Sequence, residues 1–171
     1  MIQEEPTRHS PDKQHIEETK NEQSLPVILF VDDDESNLTS YVGNYRTLFK
    51  VHTAINGVEA LLKMEWQRFD VVVCDQRMEG MTGIEVMKNI ANLYPGTIRI
   101  FATGYADYEH LMDAINEAGV YKCVFKPINH DKLLSYLYSG ASLSRAYHEG
   151  KHILENLKAK HKKIHEEDIK D

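Results

Sequence analysis

Three consecutive aspartates, Asp32, Asp33 and Asp34, follow the five apolar residues Val27–Val31 in the stretch VILFVDDDESN. Carboxylates crowded together repel; two charges ~4 Å apart cost about 4 kcal/mol at an effective dielectric of 20. A fourth acid, Asp75, ends another apolar run, VVVCD. A hard divalent cation relieves such crowding. Mg²⁺ takes one to three carboxylates, backbone oxygen and water, and favours phosphate oxygens. Two further residues follow apolar runs in the same manner: Thr103 after IRIFA and Lys126 after CVF. With Asp32, Asp33, Asp75, one Mg²⁺ and the Lys126 ammonium, the formal charges cancel. Metal, ammonium and hydroxyl can surround a phosphoryl group, and a carboxylate is a competent phosphoryl acceptor.

These residues can meet only if the chain brings several strand ends to one rim. Short, β-branched runs at 27–31, 51–54, 71–74, 98–102 and 120–125 have strand length. Between them lie stretches with helical spacing. Ser36 is the expected cap of the first, which carries Leu38, Tyr41, Val42 and Tyr45. The second spans Gly57–Trp66, with Val58, Leu61 and Leu62 as its apolar face and Trp66 as helix-end packing. Thr82 and Asp107 cap the third and fourth, and Asn129 opens the fifth with Leu133, Leu134 and Leu137. Five β-α repeats predict a parallel sheet in the order 2-1-3-4-5 with helices on both faces. Ligands of such sheets bind outside the carboxyl ends of the strands, at the switch point.

The chain has 171 residues and a net charge of −7, with 42% apolar residues. One domain with length to spare is expected, and no basic footprint for nucleic acid. No apolar run approaches the ~18 residues that span a bilayer, and the N-terminus has no signal core. Cys74 and Cys123 lie in strand-like runs and read as reduced core residues of a cytoplasmic protein. Residues 1–25 have hardly any large apolar side chain and are expected to be disordered.

The combination resembles the bacterial response-regulator receiver domain over residues 26–142. The motifs are Asp32-Asp33 after VILFV, Asp75 in VVVCDQRMEGMTG, Thr103 in IRIFATGYAD, and Lys126-Pro127 in YKCVFKP. The CDQRM and TGYAD stretches are most like receivers attached to cyclic-di-nucleotide enzymes or hydrogenase regulators. The resemblance implies a flavodoxin-like fold and a site in which Asp75 is the phosphoacceptor. It also implies that Asp32, Asp33, Asp75 and the backbone carbonyl of Arg77 hold Mg²⁺. Thr103 would bond the phosphoryl group, Lys126 would pair with one of its oxygens, and the Lys126-Pro127 bond would be cis.

The chain departs from the family pattern at three places. Glu79 stands where the family usually has proline. Cys123 occupies the position of the switch aromatic, for which Tyr121, two residues earlier and assigned to the same strand face, is the substitute. Arg77 and Tyr105 flank the approach of water to the phosphoryl group in relatives.

The expected function is therefore a phosphorylation-controlled module, not an enzyme. It would take its phosphoryl group from a histidine kinase or phosphotransfer protein and switch the face made by the fourth helix, fifth strand and fifth helix. One alternative is a haloacid-dehalogenase-type phosphatase with Asp32 as nucleophile, although no later paired-aspartate motif follows the fourth strand. The other is a phosphorylation-independent adaptor, against which the complete set of acids, Thr and Lys argues.

After residue 142 no second α/β pattern, helix-turn-helix or catalytic signature follows. The chain reads as a stand-alone regulator or as part of a longer one. Residues 143–171 read as a helical extension. Leu143, Tyr147, Gly150, Leu154, Leu157, His161 and Ile164 step by four and three, the seam of a coiled coil, and suggest a homodimer through this helix or through the switch face. Gly150 costs on the order of 1 kcal/mol in a helix. His148/His152 and His161/His165 have the i, i+4 spacing of zinc ligands but read as a solvated face.

Overall fold

The structure is a computed structural model that describes residues 25–104, 112 and 115–168, with side chains as far as Lys162. The expected disorder of residues 1–24, the Asp107 cap and Tyr105 lie outside the described residues.

The elements run β1 (Val27–Val31), α1 (Glu35–Tyr45), β2 (Lys50–Ala54), α2 (Gly57–Trp66), β3 (Val71–Asp75), α3 (Gly83–Leu93), β4 (Ile98–Thr103), β5 (Lys122–Phe125) and a terminal helix, here α4 (His130–Asp168). All adjacent strands are parallel, in the order β2-β1-β3-β4-β5. The central strand β3 is buried throughout and β1 nearly so, which is why both read as unbroken apolar runs rather than alternating ones. The edge strands expose Lys50 and Lys122.

The sheet separates two cores. On one side Leu29, Val72, Cys74 and Phe101 pack against Ala60, Met64, Val86, Met87 and Ile90 from α2 and α3. On the other, Phe30, Val73 and Ile100 pack against Leu38, Tyr41 and Tyr45 of α1 and Leu133, Leu137 and Ala141 of α4. Each such large side chain contributes about 1.5–3 kcal/mol on burial.

The helix starts follow local chemistry, with one correction. Thr82 forms a capping box with Glu85, and the Asn129 side chain accepts from the Lys132 amide. The first helix is capped by Asp34, not Ser36: the Asp34 carboxylate accepts from the Ser36 amide at 2.8 Å. A carboxylate there satisfies an orphan amide and also meets the positive end of the helix.

A second correction concerns α2. Its buried residues are Gly57, Ala60 and Met64, with Leu61 packed beside them as expected. Val58 and Leu62 point outward, and Trp66 is 86% exposed rather than packed at the helix end.

The terminal helix runs unbroken past residue 142 to Asp168. Its last fully buried residues are Ala141 and Ser144, and the Ser144 hydroxyl donates to buried Asp70 at 3.3 Å. Asp70 also accepts from the Val27 amide at 2.9 Å, tying the helix to the foot of the sheet. His148 is not part of a solvated face: it is half-buried beside Gly96, with Nε2 covered and unpartnered. No helix among the described residues is long and apolar enough to cross a membrane.

Candidate functional site

Because β1 and β3 are neighbours in register, with Val31 opposite Cys74, the residues just beyond them meet at one rim. Carboxylate oxygens of Asp32, Asp33 and Asp75 all lie within 4.8 Å of one another, the only such group of potential metal ligands among the described residues. Asp32 is 1% and Asp75 7% exposed, while Asp33 is open to solvent. Two buried acids and an open one, all hard oxygen donors, fit a hard divalent cation such as Mg²⁺.

Lys126 reaches this group from the end of β5. Its Nζ lies 2.9 Å from Asp75 Oδ1 and 3.2 Å from Asp32 Oδ2. β5 is held there by β4, with Thr103 opposite Phe125 and the Lys126 amide donating to the Thr103 carbonyl at 3.0 Å. The Lys126-Pro127 peptide is cis. Burial raises the Asp75 carboxyl above the usual carboxylate range, against the pull of the Lys126 ammonium. Burial pulls the Lys126 ammonium down, but its pairing with Asp75 and Asp32 outweighs this and leaves it raised. Each member of the pair thus favours the charged form of the other, against the cost of burial.

Asp32 is held more tightly than the sequence suggests. Oδ1 accepts from the Asp34 amide at 3.0 Å and from Asn37 Nδ2 at 3.1 Å; Oδ2 accepts from Asn37 at 3.1 Å and from Lys126. Asn37 was not among the expected site residues. Its signal was an amide five residues after Asp32, on the first turn of α1. Asp34 points away as the helix cap. Asp33 accepts from the Glu79 amide at 3.3 Å, so the turn after β3 braces the open acid through its backbone. The Glu79 side chain is exposed.

Thr103 is fully buried at the end of β4, its hydroxyl donating to the Gly104 carbonyl at 3.2 Å. Arg77 lies in the turn directly after β3. Gly83, at the start of α3, was also missed. Its amide donates to the Gln76 carbonyl at 3.1 Å, and a side chain there would collide with the Asp75 carbonyl oxygen.

The expected pairing of Cys123 and Tyr121 on one strand face does not hold. Cys123 packs toward the α2/α3 core and Tyr121 toward the α1/α4 core. Tyr121 precedes the first residue of β5, so strand alternation does not reach it. Both cysteines are free; Cys74 is buried and Cys123 half-buried, its thiol pushed up to about 11 by burial.

Among known proteins, this chain is similar to transcriptional regulators over their receiver-sized part. The hydrogenase transcriptional regulatory protein HoxA of Cupriavidus necator is 35% identical over 107 residues, 63% of this chain and 22% of HoxA. The transcriptional regulatory protein ZraR of Klebsiella oxytoca is 36% identical over 107 residues, 62% of this chain and 24% of ZraR. The chain thus spans under a quarter of the length of either. Among solved structures, a CheY-like response regulator receiver domain protein from Methanospirillum hungatei aligns with TM-score 0.67 and 30% identity, over 72% of this chain and 99% of that one. An adenylate cyclase structure from Rhodopirellula baltica aligns with TM-score 0.72 and 30% identity, over 77% and 98%. The response regulator receiver domain model matches residues 28–138. With this strand order and this rim of acids and lysine, the chain belongs to the response-regulator receiver family.

Proposed function

We propose that the chain is a phosphorylation-controlled signalling module in which Asp75 accepts a phosphoryl group from a phosphohistidine of a histidine kinase or phosphotransfer protein. The observation that carries this reading is the 2.9 Å contact of Lys126 Nζ with Asp75 Oδ1 beside two further carboxylates. A carboxylate oxygen of Asp75 forms the new O–P bond as the donor's N–P bond breaks, and the imidazole nitrogen keeps the electron pair. Asp32, Asp33 and Asp75, with the Arg77 carbonyl, would hold Mg²⁺, whose charge would offset that of the phosphoryl oxygens. The Lys126 ammonium exchanges an Asp75 oxygen for a phosphoryl oxygen. The Thr103 hydroxyl, now on Gly104, turns to bond the phosphoryl group, and that turn alters the face beside β5 and α4.

Asp32 makes a poor nucleophile by comparison. Both its oxygens accept hydrogen bonds, four in all, and it is the more buried of the two acids. The phosphatase reading therefore has less support than acceptance at Asp75.

Incubation with acetyl phosphate and Mg²⁺, followed by peptide mass mapping, tests the proposal. One phosphoryl group on the peptide containing Asp75 is expected. A label on Asp32 would favour the phosphatase reading, and a label that survives in Asp75→Ala would overturn the assignment.

The thiol at position 123 makes the switch atypical, since it has neither the area nor the reach of an aromatic side chain. Cys123→Tyr is expected to change how far phosphorylation alters partner binding or self-association. The ratio of affinities with and without the phosphoryl group is the measurement, and an unchanged ratio would make the position inert.

A further inference from the structure

Helix α2 presents an apolar row to solvent. Val58, Leu62 and Trp66 follow one another at intervals of four residues and are 57%, 52% and 86% exposed. On a helix that spacing makes one line, about 12 Å long from Val58 to Trp66. Ile55, just before the helix, extends it at 48%. The opposite face, with Gly57, Ala60 and Met64, already fills the core, so the outward row adds little to folding. Trp66 is the chain's single tryptophan, and tryptophan is the side chain that most often anchors an interface.

Beside the row lies a groove of about 720 Å³, with Ile55, Val58, Leu62 and Met81 as its apolar wall. Every charged residue lining it is an acid: Asp33, Glu35, Glu59 and Glu79. Asp33 belongs to the rim described above, but Glu35, Glu59 and Glu79 lie outside that group of potential metal ligands. Glu59 is met by Lys63 at 2.7 Å, and the same ammonium also donates to the Thr53 carbonyl, on the β2 side. Glu65, exposed beside Trp66, continues the negative flank.

A nucleic acid or an acidic peptide is repelled by such a flank. A small cation has no use for the apolar row. The α2 of a second copy would bring acids against acids. A helix with aliphatic residues every three or four positions and lysine or arginine beside them answers both the row and the flank. We propose that α2 and its groove dock a basic amphipathic helix of a partner protein. The partner's aliphatic residues lie along Val58, Leu62 and Trp66, and its cations face Glu35, Glu59 and Glu79. The sheet order puts β2 and β5 at opposite edges, so this surface is separate from the one beside β5 and α4.

Trp66 emission of the full chain, titrated in Mg²⁺-free buffer, reads the docking. The probe is a synthetic amphipathic helix of leucine and lysine, about 14 residues or ~21 Å long. Its counterpart carries glutamate in place of lysine. The lysine peptide is expected to shift Trp66 emission to the blue and saturate, and the glutamate peptide to bind roughly tenfold or more weakly. Val58→Ser with Leu62→Ser is expected to weaken the lysine peptide by about tenfold or more. Glu35→Gln with Glu79→Gln is expected to weaken it several-fold and to flatten its salt dependence. All four of these side chains are exposed, and an unchanged urea midpoint checks that the variants fold as the parent does. Leu154→Ser with Leu157→Ser, on the terminal helix, leaves the affinity unchanged. Equal binding of the two peptides, the lack of a saturable shift, or an affinity that survives both groove pairs overturns the proposal, as does an affinity lost with the terminal-helix pair. A blue shift that appears on concentrating the chain alone, and vanishes in Val58→Ser with Leu62→Ser, puts a second copy in the groove and also overturns it. None of these results depends on phosphoryl acceptance at Asp75, which mass mapping reads separately.

Discussion

Lys126→Ala is expected to bind Mg²⁺ within a few-fold of the parent chain while losing about 10²-fold or more in the rate of phosphorylation by acetyl phosphate. In the proposed reaction the lysine and the metal would sit on different sides of the charge that develops in transfer. Nζ contacts Asp75 Oδ1 and Asp32 Oδ2, but the oxygens proposed to hold the cation come from Asp32, Asp33 and Asp75, and Asp33 is on the open side of the site. Removing the ammonium takes away a competing positive charge as well as a partner, so the loss of metal affinity stays small. A positioned donor aimed at developing charge contributes on the order of 10²–10³ in rate, and Lys126 places its ammonium 2.9 Å from Asp75 Oδ1. Without Lys126 the Asp75 carboxyl also loses the strongest influence lowering its pKa against burial, so its pKa moves further up in metal-free protein. Calorimetric Mg²⁺ titration and the initial labelling rate are the two readouts. An equal loss of Mg²⁺ affinity in Lys126→Ala and Asp33→Ala would contradict this division of roles.

The parts of the site that the sequence made legible are those fixed by chain order and strand ends. Asp32, Asp33, Asp75 and Lys126 could be placed together because a parallel sheet puts every strand's carboxyl end on one side, and runs such as VVVCD mark those ends. What escaped depends on the exact angle at which an element sits. Ser36 is the cap expected from the sequence, and only the backbone path shows that Asp34, two residues earlier, takes that place. The amide of Asn37 reaches Asp32 because α1 starts where it does, not because of any periodicity. For α2, Leu61 packs against the core as expected, but Val58 and Leu62 turn outward and Gly57, Ala60 and Met64 are buried, because the helix lies close against α3, where a side chain at Gly57 would collide with Val86. Tyr121 shows the limit of alternation, which holds inside a strand and fails one residue before it.

Gly83→Ala is expected to lower stability by about 1–3 kcal/mol, the usual range for overpacking, and to weaken labelling of Asp75 as well. Glycine is not needed here for a left-handed backbone; it is needed for room. A methyl group at this position would overlap the Asp75 carbonyl oxygen and lie 2.8 Å from its carbon and 2.9 Å from Gln76 Cα. All three are backbone atoms of the strand end that carries the acceptor, so none can rotate aside. Two hydrogen bonds fix the approach: the Gly83 amide to the Gln76 carbonyl, and the Ile84 amide to Gln76 Oε1, both at 3.1 Å. Alanine favours a helix interior over glycine by about 1 kcal/mol, but Gly83 is the first residue of α3, where that gain is smallest. Relief requires moving either α3 or the Asp75 peptide, and the second displaces the carboxylate from Lys126. Gly57→Ala is the comparison: its new methyl would also be crowded, but against side-chain atoms of Val86 and Met81 rather than against the backbone that carries Asp75. Urea denaturation of both variants, with the labelling rate measured in parallel, is the check. Both variants should show a lower midpoint than the parent with an unchanged slope, and Gly83→Ala the slower labelling. A Gly83→Ala chain that unfolds with the parent and labels at the parent's rate would mean that the close approach of α3 to Asp75 does not constrain the site.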